Sequence, residues 1–176
     1  MPKPEIDLSI VVAMTLKRVI GNEGKLPWHL PGDLSWFKNV TMESRVIVMG
    51  YKTYKAIIDR NGEPLPGRIH IVLTRKHRTS SFEWVLFVHS PEETLKEVAA
   101  LGGCACVIGG GEIYEIFLRM PELKTLYVTT VNAVVKGDTY FPDIKEMGWS
   151  CITASPVSRK HPKDEFESMW ETYKRR

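Results

Sequence analysis

Asp33 is the residue whose type and surroundings point most directly to chemistry, because it is a carboxylate within the largely apolar segment LPWHLPGDLSWF at residues 26–37. Pro31 favours a helix that begins at this point. In such a helix Trp36 and Phe37 share a face with Asp33 through their i+3 and i+4 spacing, so the acid is predicted to face the core. A carboxylate in that position needs either protein donors or a ligand that supplies donors.

Two roles for Asp33 remain open from this segment alone. The carboxylate could accept hydrogen bonds from backbone N–H groups of the first helical turn and interact with the helix dipole. Alternatively, it is kept for a ligand. Residues elsewhere in the chain have to separate the two.

Junctions between a predicted strand and a predicted helix carry glycine twice, and both could bind phosphate. The first, Gly50-Tyr51-Lys52-Thr53, offers an anion close backbone approach, an ammonium group and a helix N-terminus. Because it lacks the upstream glycine of a phosphate-binding loop, a solvated lysine at a helix start is the alternative. The second is the glycine run at residues 109–111, where backbone N–H groups can contact a ligand. It is not the GxGxxG dinucleotide fingerprint, and a tight turn without a ligand is its alternative.

Metal-dependent and hydrolytic chemistries lack their motifs. The sequence has no HExxH, no CxxC pair, no GxSxG and no second acid spaced as in a glycosidase. Its five histidines are scattered singly, and we expect surface or satisfied histidines and no metal site. A lone inward acid beside a nucleotide site instead favours chemistry carried by a cofactor, such as hydride transfer, in which the protein orients and protonates the substrate.

Composition limits the class of protein. The chain has 176 residues, 43% of them hydrophobic, which predicts one domain over residues 1–176. The formal net charge is +3 and the basic residues are scattered, apart from the tail at residues 174–176, so we expect no nucleic-acid partner. The N-terminus lacks a signal-peptide core and no apolar run could span a bilayer, so we expect a cytoplasmic protein without a membrane partner. Nothing marks a partner surface, which favours a monomer.

Cysteine use is also informative. Cys104, Cys106 and Cys151 fit neither a disulfide framework nor a zinc ligand set. We expect buried thiols in a reducing compartment.

Hydrophobic periodicity and turn residues predict the elements that position these candidates. Strands are expected at residues 6–14, 46–49, 69–74, 84–88, 105–108, 126–131, 149–153 and 166–173. Helices are expected from residue 31, around residues 56–58, at residues 91–101 behind a Ser90 cap, and from residue 111 to 120, with a turn-rich insertion at residues 59–67. This alternation predicts a single-domain, doubly wound α/β fold: a mainly parallel central sheet of about eight strands, an antiparallel C-terminal edge strand and about four flanking helices. Ligands of such sheets bind at the carboxyl ends of the strands.

Short motifs along nearly the whole chain resemble the dihydrofolate reductase family. They are VVA at 11–13, RVIG at 18–21, LPW at 26–28, LPGDL at 30–34, VMG at 48–50, PLPGR at 64–68, IGGG at 108–111, IY at 113–114 and DTYFP at 138–142. Each motif is weak alone, whereas the ordered set is specific and favours the ligand-binding role of Asp33.

The resemblance implies reduction of 7,8-dihydrofolate to 5,6,7,8-tetrahydrofolate by NADPH, which supplies one-carbon metabolism, and binding of antifolate inhibitors. Asp33 would bind the ring N–H and the amino group of the pterin, with the hydroxyl of Thr129 in the same network. Trp28 would hold a water near the acid, or simply pack. Leu26 would lie in a mobile loop that closes over the nicotinamide, and Asp138 in a second loop that braces the first. The implied catalytic residues are thus Asp33, Thr129, Trp28 and Leu26.

The same resemblance implies two sets of ligand-binding residues. Backbone carbonyls at Val11 and Ile108 would accept from the pterin amino group, and Arg68 would pair with the glutamate carboxylate unless it is an exposed turn residue. The substrate set is Val11, Val12, Asp33, Leu34, Phe37, Ile57, Leu65, Arg68, Ile108, Tyr114 and Thr129. The cofactor set is Ala13, Ile20, Gly21, Gly50, Tyr51, Lys52, Thr53, Leu73, Thr74, Arg75, Ile108, Gly109, Gly110, Gly111, Glu112, Ile113 and Tyr114.

Tyr51 departs from part of the family, because many bacterial members have an arginine there for the 2′-phosphate. The charge must then come from Lys52, Arg75 or Lys76. Two other functions remain alternatives: a reductase of the same fold that acts on a pyrimidine intermediate of riboflavin synthesis, and a non-catalytic nucleotide-binding regulator. Asp33 and Arg68 argue against the first.

Overall fold

The structure is a computed structural model that describes residues 2–176, and within them helices and strands alternate along most of the chain. The helices are α1 (Pro31–Ser44), α2 (Tyr51–Asn61), α3 (Pro91–Ala100) and α4 (Gly111–Leu118). The strands are β1 (Asp7–Thr15), β2 (Val19–Gly21), β3 (Val46–Gly50), β4 (Ile69–Leu73), β5 (Val85–Val88), β6 (Cys104–Gly109), β7 (Leu123–Val131), β8 (Thr139–Tyr140), β9 (Trp149–Ala154) and β10 (Ser168–Arg175).

Eight of these strands form one sheet in the order β5-β4-β3-β6-β1-β7-β10-β9. The strands from β5 to β7 are parallel, and β10 and β9 add an antiparallel end. The predicted α/β class with a mainly parallel sheet is therefore confirmed, and its antiparallel end consists of two strands, β10 and β9, which pair with each other.

Element boundaries differ from the predictions in places that have local causes. Helix α2 runs on to Asn61, where a turn-rich insertion was expected from residue 59, because the left-handed Gly62 (φ 76°) ends it. Strands β2 and β8 were not predicted. They form a separate two-stranded ladder and are too short for a periodic pattern to show them.

Apolar residues cover both faces of the sheet. One core cluster includes Ile10, Val107 and Phe117, and the other is built around Ile47 and Met49. This two-sided burial explains why the central strands are continuous apolar runs rather than alternating ones.

The expectation of buried thiols is correct for Cys106 and wrong for Cys104 and Cys151, which are exposed. Cys104 is the first residue of its strand, and Cys151 lies on β9, the last strand of the sheet. Burial at either place is therefore incomplete. Across residues 2–176, the structure has no helix that is both long enough and apolar enough to cross a membrane.

Candidate active site

Asp33 lies in the first turn of α1, which begins at Pro31. Its carboxylate Oδ1 accepts a hydrogen bond of 2.6 Å from the hydroxyl of Thr129 on β7. Leu30, the residue at the N-cap position of α1, makes no side-chain cap hydrogen bond. Asp33 points across to the sheet and does not cap its own helix.

Burial dominates the electrostatics of Asp33. Loss of solvent raises the pKa of its carboxyl above the ordinary value, the donors Thr129 and Trp170 lower it, and the negative charge of Asp164 raises it. A carboxylate in this balance favours a cationic or protonated ligand, because such a ligand returns the stabilisation that water gave it.

The start of α1 is fixed by a residue far along the chain, Asp164. Its Oδ1 accepts from the N–H of Gly32 and its Oδ2 accepts from the N–H groups of Lys160 and His161, each at 2.9 Å. A Cβ at Gly32 would lie 2.7 Å from the Cβ of Lys160, so only glycine fits against this turn. Sequence reasoning did not find Asp164, since no local pattern marks a residue that binds 132 positions away.

The glycine run at residues 109–111 joins the end of β6 to the start of α4. Gly109 has φ 132°, a conformation that favours glycine. Cβ atoms built on Gly109 and Gly110 would lie 3.6 Å and 3.5 Å from the hydroxyl oxygen of Thr53. The two junctions predicted to bind phosphate are therefore adjacent, and the absence of side chains lets a ligand reach a helix N-terminus and a hydroxyl together.

Two backbone carbonyls converge beside this turn. The hydroxyl of Tyr114 lies 2.9 Å from the carbonyl oxygen of Val11 and 2.8 Å from that of Ile108, and it donates its single proton to this pair. The pair was predicted to accept from an amino group. The structure brings the two oxygens within reach of one donor, although they come from different strands.

A stacked cation lies at the start of α2. The guanidinium of Arg78 lies 3.4 Å from the ring centroid of Tyr51, and its Nε donates to the hydroxyl of Thr74 at 3.1 Å. Lys52 and Arg75 are exposed in this region. Arg78 was not among the predicted cofactor residues. The available signal was its position in the basic segment RKHR that follows β4.

Arg68 is buried, with 6% of its surface exposed, so the alternative of an exposed turn residue does not apply. Its Nε donates to the carbonyl of Pro66 and its Nη1 to the hydroxyl of Thr41. Within residues 2–176 the nitrogen Nη2 has no hydrogen bond, and a cavity of about 470 Å³ borders the residue. His70 holds together the turn at residues 65–68. Its Nδ1 donates to the carbonyl of Arg68, and its Nε2 accepts from the N–H of Leu65.

The loop that carries Leu26 is held by the segment after β7. Asp138 accepts from the N–H of Glu23 at 2.9 Å, and donors of this kind lower the pKa of its carboxyl. The side chain of Leu26 is half exposed, whereas Trp28 is buried. Gly137 is tightly enclosed, because a Cβ there would lie 2.2 Å from Cγ1 of Val19.

The remaining predicted residues divide between the two faces of the sheet. The apolar cluster beside α1 contains five predicted substrate residues: Val11, Phe37, Ile57, Leu65 and Ile108. The cluster on the other face contains Val12 and four predicted cofactor residues: Ile20, Leu73, Ile113 and Tyr114. Other members of the predicted sets lie at the rim or between the clusters: Ala13, Gly21, Gly50 and Gly111 are half-buried, Leu34 and Glu112 exposed.

The acid meets β7 and the glycine turn follows β6, and in the sheet these two parallel strands are separated by β1. Open, mostly parallel sheets bind their ligands at the carboxyl ends of such strands. This fold, with a glycine turn and a single desolvated acid, is typical of an α/β oxidoreductase that uses a nucleotide cofactor.

Comparison with known proteins specifies the family. A family model described as dihydrofolate reductase matches residues 7–175, and the chain belongs to this family. It is 41% identical over 159 residues to dihydrofolate reductase of Lactococcus lactis subsp. lactis, with 89% of each chain covered. It is 37% identical over 163 residues to dihydrofolate reductase type 3 of Salmonella typhimurium, with 92% of this chain and 91% of the relative covered.

A solved structure has the same fold. Dihydrofolate reductase from Enterococcus faecalis, complexed with NADP(H) and RAB-propyl, superposes with a TM-score of 0.83 at 34% identity, covering 96% of each chain. The predicted resemblance is therefore confirmed at the level of the family and of the fold.

Proposed function

We propose that the protein reduces 7,8-dihydrofolate to 5,6,7,8-tetrahydrofolate with NADPH. The observation that carries this proposal is the pair of half-buried Asp33 and buried Thr129, joined by a hydrogen bond of 2.6 Å on the sheet that also carries the glycine turn. Membership of the dihydrofolate reductase family supports it, as does a related structure that is complexed with NADP(H).

The residues of the turn fit a dinucleotide. Gly109 adopts φ 132°, which favours glycine, and a Cβ on Gly50 would lie 3.0 Å from Ile113, so glycine at these positions keeps the surface open for backbone contact. Bound there, NADPH supplies a hydride to the pterin. The N-terminus of α4 and the hydroxyl of Thr53 hold the pyrophosphate, for which an N-terminal dipole and backbone donors are suited.

Asp33 orients the pterin and governs its protonation. Its ionised carboxylate accepts from the ring N–H and the amino group, while Thr129 fixes Oδ1. Burial raises the pKa of this carboxyl, and its ionised form is electrostatically complementary to a cationic pterin, so binding stabilises the protonated ligand. The protein thereby favours the form of dihydrofolate protonated at N5, which is the better hydride acceptor.

Arg68 and the loop of residues 22–28 complete the site. The free Nη2 of Arg68 is suited to the glutamate carboxylate of the substrate, because guanidinium and carboxylate are geometrically complementary. Asp138 holds the loop over the cofactor side, and this closure excludes water during transfer.

Arg78 supplies positive charge for the 2′-phosphate of NADPH. Tyr51 occupies the position at which many family members carry an arginine, and the guanidinium of Arg78 lies on its ring. Lys52, Arg75 and Lys76 add exposed charge around it. Arg78 thus takes the place of the arginine that Tyr51 replaces, and the protein retains a preference for NADPH over NADH.

The direct test is oxidation of NADPH, followed by its absorbance, with and without dihydrofolate. We expect dihydrofolate-dependent oxidation that methotrexate abolishes. Asp33→Asn should retain the fold and lose most turnover at neutral pH, with partial recovery in acid, where free dihydropterin is more protonated. Asp143→Asn, at an exposed carboxylate, is the matched control. A folded wild-type protein without dihydrofolate-dependent oxidation would refute the proposal and leave the pyrimidine reductase and the regulator to be tested.

We further infer a one-domain, cytoplasmic monomer that acts on small molecules and binds antifolates. The scattered basic residues and net charge of +3 support a small-molecule ligand in preference to a nucleic acid. Light scattering should give a mass near 20.1 kDa, and a dimer would contradict it.

A further inference from the structure

Trp170 is held beside Asp33 by two independent contacts. In the antiparallel ladder of β10 and β7, Trp170 pairs directly with Thr129, so both side chains lie on the same face of the sheet. On α1, Trp36 follows Asp33 by one turn, and its ring stacks on that of Trp170 with centroids 4.8 Å apart and planes at 15°. The indole of Trp170 therefore lies between the strand that binds Asp33 and the helix that carries it.

The indole N–H of Trp170 has no hydrogen-bond partner among residues 2–176, although the nitrogen is buried. An indole nitrogen can only donate, and a buried donor without an acceptor is costly. Its influence nevertheless reaches the acid, because Trp170 and Thr129 both lower the pKa of the Asp33 carboxyl. The pairing with Thr129 and the stack on Trp36 place the indole beside the acid, although its N–H makes no hydrogen bond within residues 2–176.

The charged groups around the site do not account for this effect. Asp164, at the start of α1, acts in the opposite direction and raises the pKa of Asp33. The ammonium of Lys160 lies 5.1 Å from the ring centroid of Trp170. Two further titratable groups come from the paired strands: Tyr127 contacts the edge of Trp36, and Glu171 accepts from Thr130, the residue after Thr129.

We propose that Trp170 is a positioning residue for the reaction, and that the dipole of its indole N–H acts together with the hydrogen bond from Thr129 to keep Asp33 ionised until substrate binds. The stack on Trp36 and the ladder with β7 hold the indole beside the acid. Removal of the N–H takes away this dipole and leaves the hydrogen bond from Thr129. The proton affinity of Asp33 then rises, and the catalytic profile moves to higher pH.

Trp170→Phe is the informative variant, since it keeps an aromatic ring against Trp36 and removes the N–H donor together with part of the indole ring. Trp149→Phe is a matched control. Trp149 lies on β9, its ring is covered by the guanidinium of Arg175, and its buried indole N–H also has no partner among residues 2–176. Two quantities should be measured in each protein. One is the titration midpoint of the Asp33 carboxyl carbon, followed by NMR without ligand, and the other is the pH dependence of hydride transfer.

For Trp170→Phe we expect the proton affinity of Asp33 to rise roughly two- to tenfold, the upper value corresponding to one hydrogen bond to a charged group. Hydride transfer should keep its acid plateau and extend that plateau to higher pH, with a small change in KM for dihydrofolate. A packing role alone would lower the rate equally at every pH. An unchanged midpoint for Trp170→Phe, or an equal shift for Trp149→Phe, would overturn the proposal.

The kinetic part of this inference rests on the proposed dihydrofolate reduction, whereas the NMR titration does not. If the wild-type protein failed to reduce dihydrofolate while Trp170→Phe still shifted Asp33, the proposed function would be wrong and the role of Trp170 would stand. If the wild type were active and the midpoint did not move, only the role of Trp170 would be wrong.

Discussion

Asp164→Asn should weaken the protein and its catalysis together, because this carboxylate fixes the helix start that carries Asp33. The carboxylate accepts from three backbone N–H groups, one on Oδ1 and two on Oδ2. Asparagine has a single acceptor oxygen. The asparagine side chain will orient so that this oxygen accepts from the N–H groups of Lys160 and His161, because the opposite orientation would lose two hydrogen bonds instead of one. Its NH2 group then faces the N–H of Gly32.

The cost follows from this geometry. One hydrogen bond to a charged acceptor is lost and a buried donor is left unpaired, which together destabilise the fold by about 3 kcal/mol. The free energy of unfolding of such a domain is about 5–15 kcal/mol, and a chain of this size loses about 2–4 °C of Tm per kcal/mol. We therefore expect Tm to fall by about 6–12 °C in thermal unfolding followed by circular dichroism.

Asp164→Asn also removes a negative charge that raises the pKa of Asp33. The carboxyl should then release its proton at lower pH, so hydride transfer should decline at lower pH than in the wild type. The sign is opposite to that expected for Trp170→Phe. Asp143→Asn replaces an exposed carboxylate that accepts one local N–H and should change neither property. A Tm for Asp164→Asn within about 1 °C of wild type would refute the role of the carboxylate, given the loss calculated above.

Four further predictions concern other parts of the site. Arg68→Leu should mainly raise the KM for dihydrofolate, because the loss of the charge pair costs about 2–5 kcal/mol of binding free energy. A fall confined to kcat would contradict the carboxylate role. Gly137→Ala places a methyl group 2.2 Å from Cγ1 of Val19, so stopped-flow measurements should show slower hydride transfer as the loop shifts, and an unchanged rate would argue against the bracing of the loop. Arg78→Leu should raise the KM for NADPH and leave that for NADH nearly unchanged; equal effects would remove Arg78 from the 2′-phosphate site. Burial lowers the pKa of His70 from 6.5 to about 4, so the folded state binds fewer protons than the unfolded state between these values. Stability should thus fall as pH decreases from about 6.5 towards 4, and His70→Gln should flatten that slope in urea unfolding.

Local patterns were sufficient for the elements that hold the site, and insufficient for their ends. Pro31 begins α1 as its fixed φ predicts, and Ser90 caps α3 by accepting from the N–H of Glu93. The end of α2 was misjudged because Gly62, not the polar residues before it, terminates the helix. Propensity identifies which residues tolerate a helix, whereas the stop depends on one residue in the left-handed conformation.

Long-range partners explain what sequence reasoning could not supply. The inward face of α1 was predictable from spacing, but the residues that meet Asp33 there come from the other end of the chain. Thr129 was named only through the family resemblance. Asp164 and Trp170 were not named at all, since one lies in an ordinary polar turn and the other in a strand pattern that any large apolar residue would satisfy.

These partners also give the antiparallel end of the sheet a specific role. A parallel sheet that ended at β7 would present Thr129 to Asp33 with solvent beside it. Addition of β10 places Trp170 next to Thr129, and the connection between β9 and β10 carries Asp164 to the start of α1. Desolvation raises the pKa of Asp33. The segment that excludes water also brings Trp170, which lowers this pKa, and Asp164, whose negative charge raises it. The C-terminal segment therefore contributes to the proton affinity of the acid as well as to its position, and substitutions there should alter the pH dependence of the reaction together with stability.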